Sequence, residues 1–461
     1  MREPVVTRRK FVAAGLGAAG MLATAPGQAA AWSHPLGWLG SRGHRLRGPG
    51  SLPRPFDPVG KPGAPREIDT VVILMLENHS FDNILGLLPY QVMRRREVDG
   101  LPGNGRGPTA SNPDRDGNSV QSFHLPDLCP AQGLTQNWNS SHNQYDGGRN
   151  DGFVTNSGST TPMGYFDDTD LPVTYALATQ FPISERYFCS MLGQTDPNRL
   201  FLFCATANGG TNDAPSALAI RVPSGSIFDQ LDAAQISWRV YFGNVPSPLL
   251  VNNFLTNPGQ VARCVQNQAF FADAAAGRLP PVTFVEPNFN VQSEENPQDV
   301  AFGENFLSQV VTALIDSPQW HSTALFVTYD EHGGYYDHVP PPPAIPPDDT
   351  PPRLGQPGEG TFPAGYDRYG FRVPLTVISP WARPRYVSQF VCDHTSILSF
   401  IEHKWNLPAL TRRDANAWHL NDMFDMGRAY FLDPPALPPA PSIDETLAKC
   451  RADGRNPPTL N

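Results

Sequence analysis

A continuous apolar run, Thr70-Val71-Val72-Ile73-Leu74-Met75-Leu76, stops abruptly at Glu77-Asn78-His79-Ser80. Such a run, rich in β-branched residues and without alternation, predicts a strand buried on both faces. Val282-Thr283-Phe284-Val285 repeats the pattern and ends in Glu286-Pro287-Asn288, and Ala324-Leu325-Phe326-Val327-Thr328-Tyr329 ends in Asp330-Glu331-His332. A late core strand is expected at Val373-Pro374-Leu375-Thr376-Val377-Ile378. Helical spacing is predicted over 171–188, from Thr195 onward, from Ser226 into a strand at 237–241, from Asn305 to about Ser317, and from Asp393 to Trp405. The alternation of strands and helices predicts an α/β fold with a mostly parallel central sheet, helices on both faces and long loop insertions.

Open sheets of this kind bind ligands outside the carboxyl ends of their strands, so the polar residues after each run are the first place to look for chemistry. Glu77 and Asn78 offer a carboxylate and a carboxamide suited to a hard or borderline divalent cation. The plain alternative is that Asn78 and Ser80 only cap the next helix. At Thr195-Asp196-Pro197-Asn198-Arg199 a hydroxyl or carboxylate cap precedes a first-turn proline, an ordinary helix start. A helix start also has free N–H groups that hold phosphate, and a hydroxyl there suits a nucleophile. The densest stretch is Asp330-Glu331-His332-Gly333-Gly334-Tyr335-Tyr336-Asp337-His338. Carboxylates and imidazoles so crowded repel one another unless a cation or phosphate joins them. Asp393-His394-Thr395-Ser396 starts the last predicted helix.

Composition narrows the setting. The 461 residues include 50 Pro and 40 Gly at 40% hydrophobic content, which fits one large domain with rigid loops rather than disorder. Residues 1–31 carry Arg8-Arg9, an apolar stretch and small residues near Ala29, and predict a twin-arginine signal peptide. Residues 32–65 read as a linker, 66–433 as the catalytic domain and 434–461 as a Pro-rich tail. Removing 1–31 would take the formal charge from −10 to −13, which disfavours nucleic acid as a partner. Six cysteines allow up to three disulfides in an exported chain.

Together, Glu77-Asn78-His79-Ser80-Phe81-Asp82, Thr195-Asp196-Pro197-Asn198-Arg199, the 330–340 block and Asp393-His394-Thr395-Ser396 resemble the signature blocks of the bacterial and plant non-specific phospholipase C family. The phosphoesterase superfamily to which that family belongs includes secreted acid phosphatases. The resemblance spans roughly 67–410. It implies an alkaline-phosphatase-like core, a divalent metal ion of unspecified identity and a hydroxyl nucleophile that forms a phosphoryl-enzyme intermediate. Thr195 matches the nucleophile. Glu77, Asn78, Asp330 and Glu331, together with Thr195, match the metal site, and Asn78, His332, His338 and His394 are candidates for catalytic contacts.

Two departures stand out. Relatives commonly carry a histidine where this chain has Gln136, and Asp-Asp-His-Pro where it has Glu294-Glu295-Asn296-Pro297. The lost rings remove phosphate contacts or acids, which His142, His332, His338, His394 or Glu295 are candidates to replace. The expected function is an exported phospholipase C acting on phospholipid with transient membrane-surface contact, its lipid-facing rim drawn from loops 99–165 and 340–365. An acid phosphatase on small soluble phosphoesters and a non-catalytic phosphate or lipid binder are the alternatives.

Overall fold

The structure, a computed structural model, describes residues 46–91, 95–130, 134–213 and 221–460. The predicted signal peptide and the first part of the predicted linker lie outside the described residues. Among the described residues, eight strands form the main sheet: β1 (Thr70–Leu76), β2 (Ile183–Ser184), β3 (Trp238–Phe242), β4 (Cys264–Gln266), β5 (Val282–Val285), β6 (Thr323–Tyr329), β7 (Leu375–Ile378) and β8 (Val387–Ser388). Their order is β8-β2-β7-β6-β1-β5-β3-β4. Only β7 runs antiparallel to its neighbours; the other pairings are parallel, as the alternating pattern predicts.

Every residue of β1 and of β6 is buried, which is why neither shows polar alternation. The two pair in register from Thr70 with Thr323 to Leu76 with Tyr329. That register makes Glu77 and Asp330 leave the sheet side by side, although 252 residues separate Asn78 from the carboxylate that it meets there. β5 flanks β1 on the other side, Leu74 opposite Val285, so Glu286 emerges close by at a slightly lower level.

Seven helices matter for the site: α1 (Phe81–Leu85), α2 (Trp138–Tyr145), α3 (Pro172–Gln180), α4 (Thr195–Cys204), α5 (Val300–Ile315), α6 (His394–Trp405) and α7 (Ile443–Ala452). Helix was expected over 171–188, but α3 ends at Gln180. Pro182 disfavours helical geometry at the residue before it and has no N–H to continue the ladder, so the chain passes into β2 instead. α5 begins at Val300, ahead of the expected Asn305, because Asp299 caps it by accepting the Ala301 N–H at 3.0 Å.

The described part of the expected linker is fastened to the end of α6. Asn406 takes the Arg54 N–H at 2.9 Å and donates to the Asp57 carbonyl at 2.8 Å, and Lys404 donates to Pro65 O at 2.8 Å. The stretch 434–461, expected as a Pro-rich tail, contains α7. Cys450 of that helix is joined to Cys129 by a disulfide, and Thr446 donates to the capping Asp299 at 2.6 Å. Cys189, Cys204, Cys264 and Cys392 are free thiols. Among the described residues no helix is long and apolar enough to cross a membrane.

Candidate active site

The site forms where β1, β6 and α4 meet. Asn78 adopts a left-handed backbone conformation, φ 66°, which turns the chain sharply from strand to α1 and is tolerated by asparagine better than by most residues. Gly333 crosses directly over it. A Cβ at 333 would fall 1.8 Å from the Asn78 carbonyl oxygen, and the residue itself has φ 64°, so only glycine fits this crossing. Asp330 ties the two strand ends together: its Oδ1 accepts the N–H of Asn78 at 3.0 Å and of Glu331 at 2.7 Å.

Thr195 is the first residue of α4, with Gln194 rather than Thr195 or Asp196 in the capping position. Its hydroxyl is therefore not spent on a cap, and it donates to Asn78 Oδ1 at 3.2 Å. The helix start is less open to phosphate than its sequence suggests. Asp213 takes the Asp196 N–H at 2.7 Å, and Pro197 has none to offer. One turn later Arg199, almost fully buried, donates to Asp330 Oδ2 at 3.2 Å and to Leu76 O at 3.2 Å, and lies 3.6 Å from Glu77 Oε1. Its guanidinium covers the Phe289 ring at 4.7 Å.

Carboxylates outnumber this cation. Burial pushes the Glu77 and Glu331 carboxyls well above their ordinary range; Arg199 draws Glu77 back, while Asp330 raises both further. Burial also raises Asp330 against the pull of Arg199, and takes Asp196 up to about 6. Burial and the neighbouring Asp330 raise the Glu295 carboxyl, while Asn78 and Arg199 draw it back. Glu77 Oε2 and Glu331 Oε1 are buried with no hydrogen-bond partner. Unpaired buried carboxylate oxygens are costly, and an all-oxygen donor set of Glu77, Asn78, Asp330, Glu331 and Thr195 is what a hard divalent cation takes. The donor chemistry of these residues fits such an ion.

The Phosphoesterase family model matches residues 68–408. The chain belongs to the phosphoesterase family. Similar proteins include Non-specific phospholipase C1 of Arabidopsis thaliana, 34% identical over 76% of this chain and 69% of the relative. Phospholipase C A of Mycobacterium tuberculosis is 31% identical over 84% of this chain and 81% of the relative. A solved Vibrio parahaemolyticus protein in the alkaline phosphatase superfamily aligns with TM-score 0.39 at 11% identity, over 82% of this chain and 72% of that one. This phosphoesterase is thus a phosphoric ester hydrolase, built on the α/β sheet described above.

The histidines of the phosphoesterase are placed differently from expectation. His332 meets Gln144 Oε1 at 2.8 Å through Nε2, with Nδ1 3.1 Å from Glu331 Oε2. Because Gln144 Nε2 already donates to Thr135 O at 2.7 Å, its oxygen accepts and His332 Nε2 carries the hydrogen. His394 spends Nε2 on the Asp330 carbonyl at 2.7 Å and Nδ1 on the Tyr187 hydroxyl at 3.1 Å. Burial lowers both rings to about 3, so they are neutral supports. His338 joins a separate cluster, with Nδ1 on Asp82 at 2.7 Å and Nε2 on Asp99 at 3.1 Å. Both ring nitrogens of this candidate contact are thus engaged, in an ion network around Arg372.

Among the described residues, the three-ligand groups whose atoms all lie within 4.8 Å are Asp82/Asp337/His338 and His124/Asp167/Asp170. Arg372 already pairs with Asp82 at 3.0 Å and Asp337 at 2.9 Å, so the first group has its cation. The Glu77/Asp330/Glu331 set is not among these compact groups. Of the positions that depart from relatives, Asn296 accepts from Tyr335 at 3.1 Å, and Gln136 O accepts from Ser141 at 2.8 Å. His142 is bonded to Trp138 O at 2.7 Å and lowered to about 4 by burial.

Three features escaped the sequence. Arg199 stands inside the Thr195 block, yet its partners depend on the fold. Phe289 follows Glu286-Pro287-Asn288 without a signal of its own. A cleft of about 190 Å³ beside Thr195 has Val245, Leu249 and Phe289 on its apolar side. The loops expected to form the rim do meet, Trp138 donating to Phe362 O at 2.9 Å, but the cleft's apolar wall comes from 245–250 and Phe289.

Proposed function

We propose that this phosphoesterase is an exported, metal-dependent phospholipase C that cleaves the glycerol–phosphate bond of a phospholipid. The observation that carries the reading is the Thr195 hydroxyl, 3.2 Å from Asn78 Oδ1, at the edge where Glu77 and Asp330 emerge together. Asn78 holds the hydroxyl hydrogen and so directs the Thr195 oxygen lone pairs into the cleft. Asp330, fixed by Arg199 and by two backbone N–H groups, keeps the Asn78 turn in place. A divalent cation bound by Glu77, Asn78, Asp330, Glu331 and Thr195 would lower the hydroxyl pKa and neutralise the phosphate oxygens.

Thr195 Oγ1 attacks phosphorus in line with the leaving glycerol oxygen; the hydroxyl gives up its proton, the P–O bond to glycerol breaks, the glycerol oxygen takes up a proton, and the head-group phosphoryl remains esterified to Thr195. Water attacks the same phosphorus in the second step and restores the hydroxyl. Glu295, two residues after Ser293, whose carbonyl takes the Glu77 N–H, is the carboxyl assigned to exchange protons with the leaving oxygen and then the water; burial raises it. The relatives named phospholipase C support lipid as the substrate, and the acidic chain favours contact with a neutral rather than an anionic membrane surface. The Arg8-Arg9 segment and the Cys129–Cys450 bond support export to an oxidising compartment.

The test compares kcat/KM for a phosphocholine diester and the matching phosphomonoester in metal-loaded protein, with Thr195→Ala as control. Diester preference that disappears in the variant supports the reading. Monoester preference moves the protein to the phosphatases, and turnover that survives Thr195→Ala removes the nucleophile.

A further inference from the structure

The cleft beside Thr195 has two unlike walls. Glu77, Thr195 and Arg199 form one; Val245, Leu249 and Phe289 form the other. The second wall is fixed in place by four fastenings. Ser247 donates both its N–H, at 2.8 Å, and its hydroxyl to the Glu286 carboxylate at the end of β5. Phe289 N donates to Asn244 at 3.0 Å. Gly243 lies so close to the next segment that a Cβ there would fall 2.3 Å from Asn288 N. Asn267 anchors the Glu286 carbonyl at 2.8 Å. This lacing extends the strand edge that carries Glu77 and brings the apolar wall to the nucleophile.

Val245, held at this wall, is 55% exposed and contributes little to the core. An apolar side chain kept in water beside a reacting hydroxyl, on a segment so firmly tied, indicates an apolar ligand. On the opposite wall Arg199 is already paired with Glu77 and Asp330, which leaves little there to attract an anionic substituent beyond the phosphate itself. A cationic head group would need the Phe289 face, and Arg199 already covers it. We propose that this cleft is the leaving-group subsite: it receives the alkyl or acylglycerol portion of a phosphodiester whose phosphate lies at Thr195. This rests on Thr195 acting on phosphoesters as proposed above.

The test uses phosphocholine esters with leaving alcohols from ethyl to octyl, all below their critical micelle concentration. kcat/KM is measured in metal-loaded protein, and Kd for the same compounds is measured by calorimetry in Thr195→Ala. Partial burial of each methylene predicts a rise of about twofold per added carbon in both series. Val245→Asp is expected to cut the slope to less than half, whereas Phe56→Ser, which removes an exposed ring elsewhere, keeps it. A flat series in the parent protein, or a slope that survives Val245→Asp, overturns the subsite, as does affinity that follows the head group and ignores the alkyl chain. Turnover that is undiminished in Thr195→Ala would instead sink the nucleophile reading, while the Kd slope still judges the cleft.

Discussion

Thr195 and Asn78, 117 residues apart in sequence, meet through their side chains at 3.2 Å. The contact requires two separate constructions. β1 must end at Leu76 with Asn78 in a left-handed turn, and α4 must begin at Thr195 with another residue serving as its cap. Substituting Asn78 by Ala removes the acceptor that orients the hydroxyl and places alanine at φ 66°. A fall in kcat of about 10²-fold or more is expected, with a stability loss of about 1 kcal/mol. Asn78→Asp keeps an acceptor, so it should retain more activity than Asn78→Ala in parallel assays.

Thr195→Ala should abolish turnover, by more than about 10³-fold, while shifting the urea midpoint little, because the side chain is only part-buried and outside the core. Intact-mass measurement after rapid quenching of a phosphocholine diester reaction should detect a phosphocholine adduct on the parent chain and none on the variant.

Arg199 compensates Asp330 and Glu77, and removing it leaves buried carboxylates unpaired. Arg199→Met should destabilise the metal-free protein by about 3–5 kcal/mol. The same variant should gain more Tm than the parent on adding a divalent cation, because the ion then neutralises what Arg199 no longer does. Equal gains in both proteins, read by thermal melts with and without chelator, would place the ion elsewhere.

His338 supplies the pH dependence. Burial opposes its charge, but the carboxylates of Asp82 and Asp99 outweigh this and raise it to about 9, well above its ordinary value. A histidine with a raised folded pKa gives its full stabilisation below about pH 6.5 and loses it as pH climbs through about 9. The stability difference between the parent and His338→Gln should therefore be largest near pH 6, at most about 3 kcal/mol, and fade by pH 9 to 10. A difference that grows with pH would refute the charged network.

Gly333→Ala is the sharpest backbone test. The added carbon would collide with the Asn78 carbonyl and force alanine to φ 64°. A loss of stability beyond about 2 kcal/mol is expected, together with a drop in activity, since the displaced group is the turn that presents Asn78.

Much of this architecture could be read from the chain. The buried runs at Thr70, Val282 and Ala324 announced parallel strands because nothing in them alternates, and the polar residues that follow them marked the sheet edge. The four blocks named Thr195 and the carboxylates, and the fold brings Thr195, Asn78 and Asp330 to one sheet edge. What could not be read is register and competition. Only the pairing of Leu76 with Tyr329 brings Asn78 to Asp330, and only the fold reveals that Arg372 claims His338 or that Asp330 O claims His394. The helix at 171–188 was overextended because its apolar spacing runs past Pro182, whose backbone chemistry outweighs the pattern. The 245–250 wall had no sequence signature, since its position is set by Glu286 from another strand.

The Cys129–Cys450 bond joins residues 321 positions apart. Cys129 can find this partner only after the chain has been made through Cys450, beyond every strand of the main sheet, so covalent closure reports that the whole sheet has been made. A product truncated before Cys450 would carry an unpaired Cys129, and alkylation mapped to Cys129 by peptide mass, separate from the half-buried free thiol of Cys264, would distinguish incomplete chains from finished ones without any activity assay.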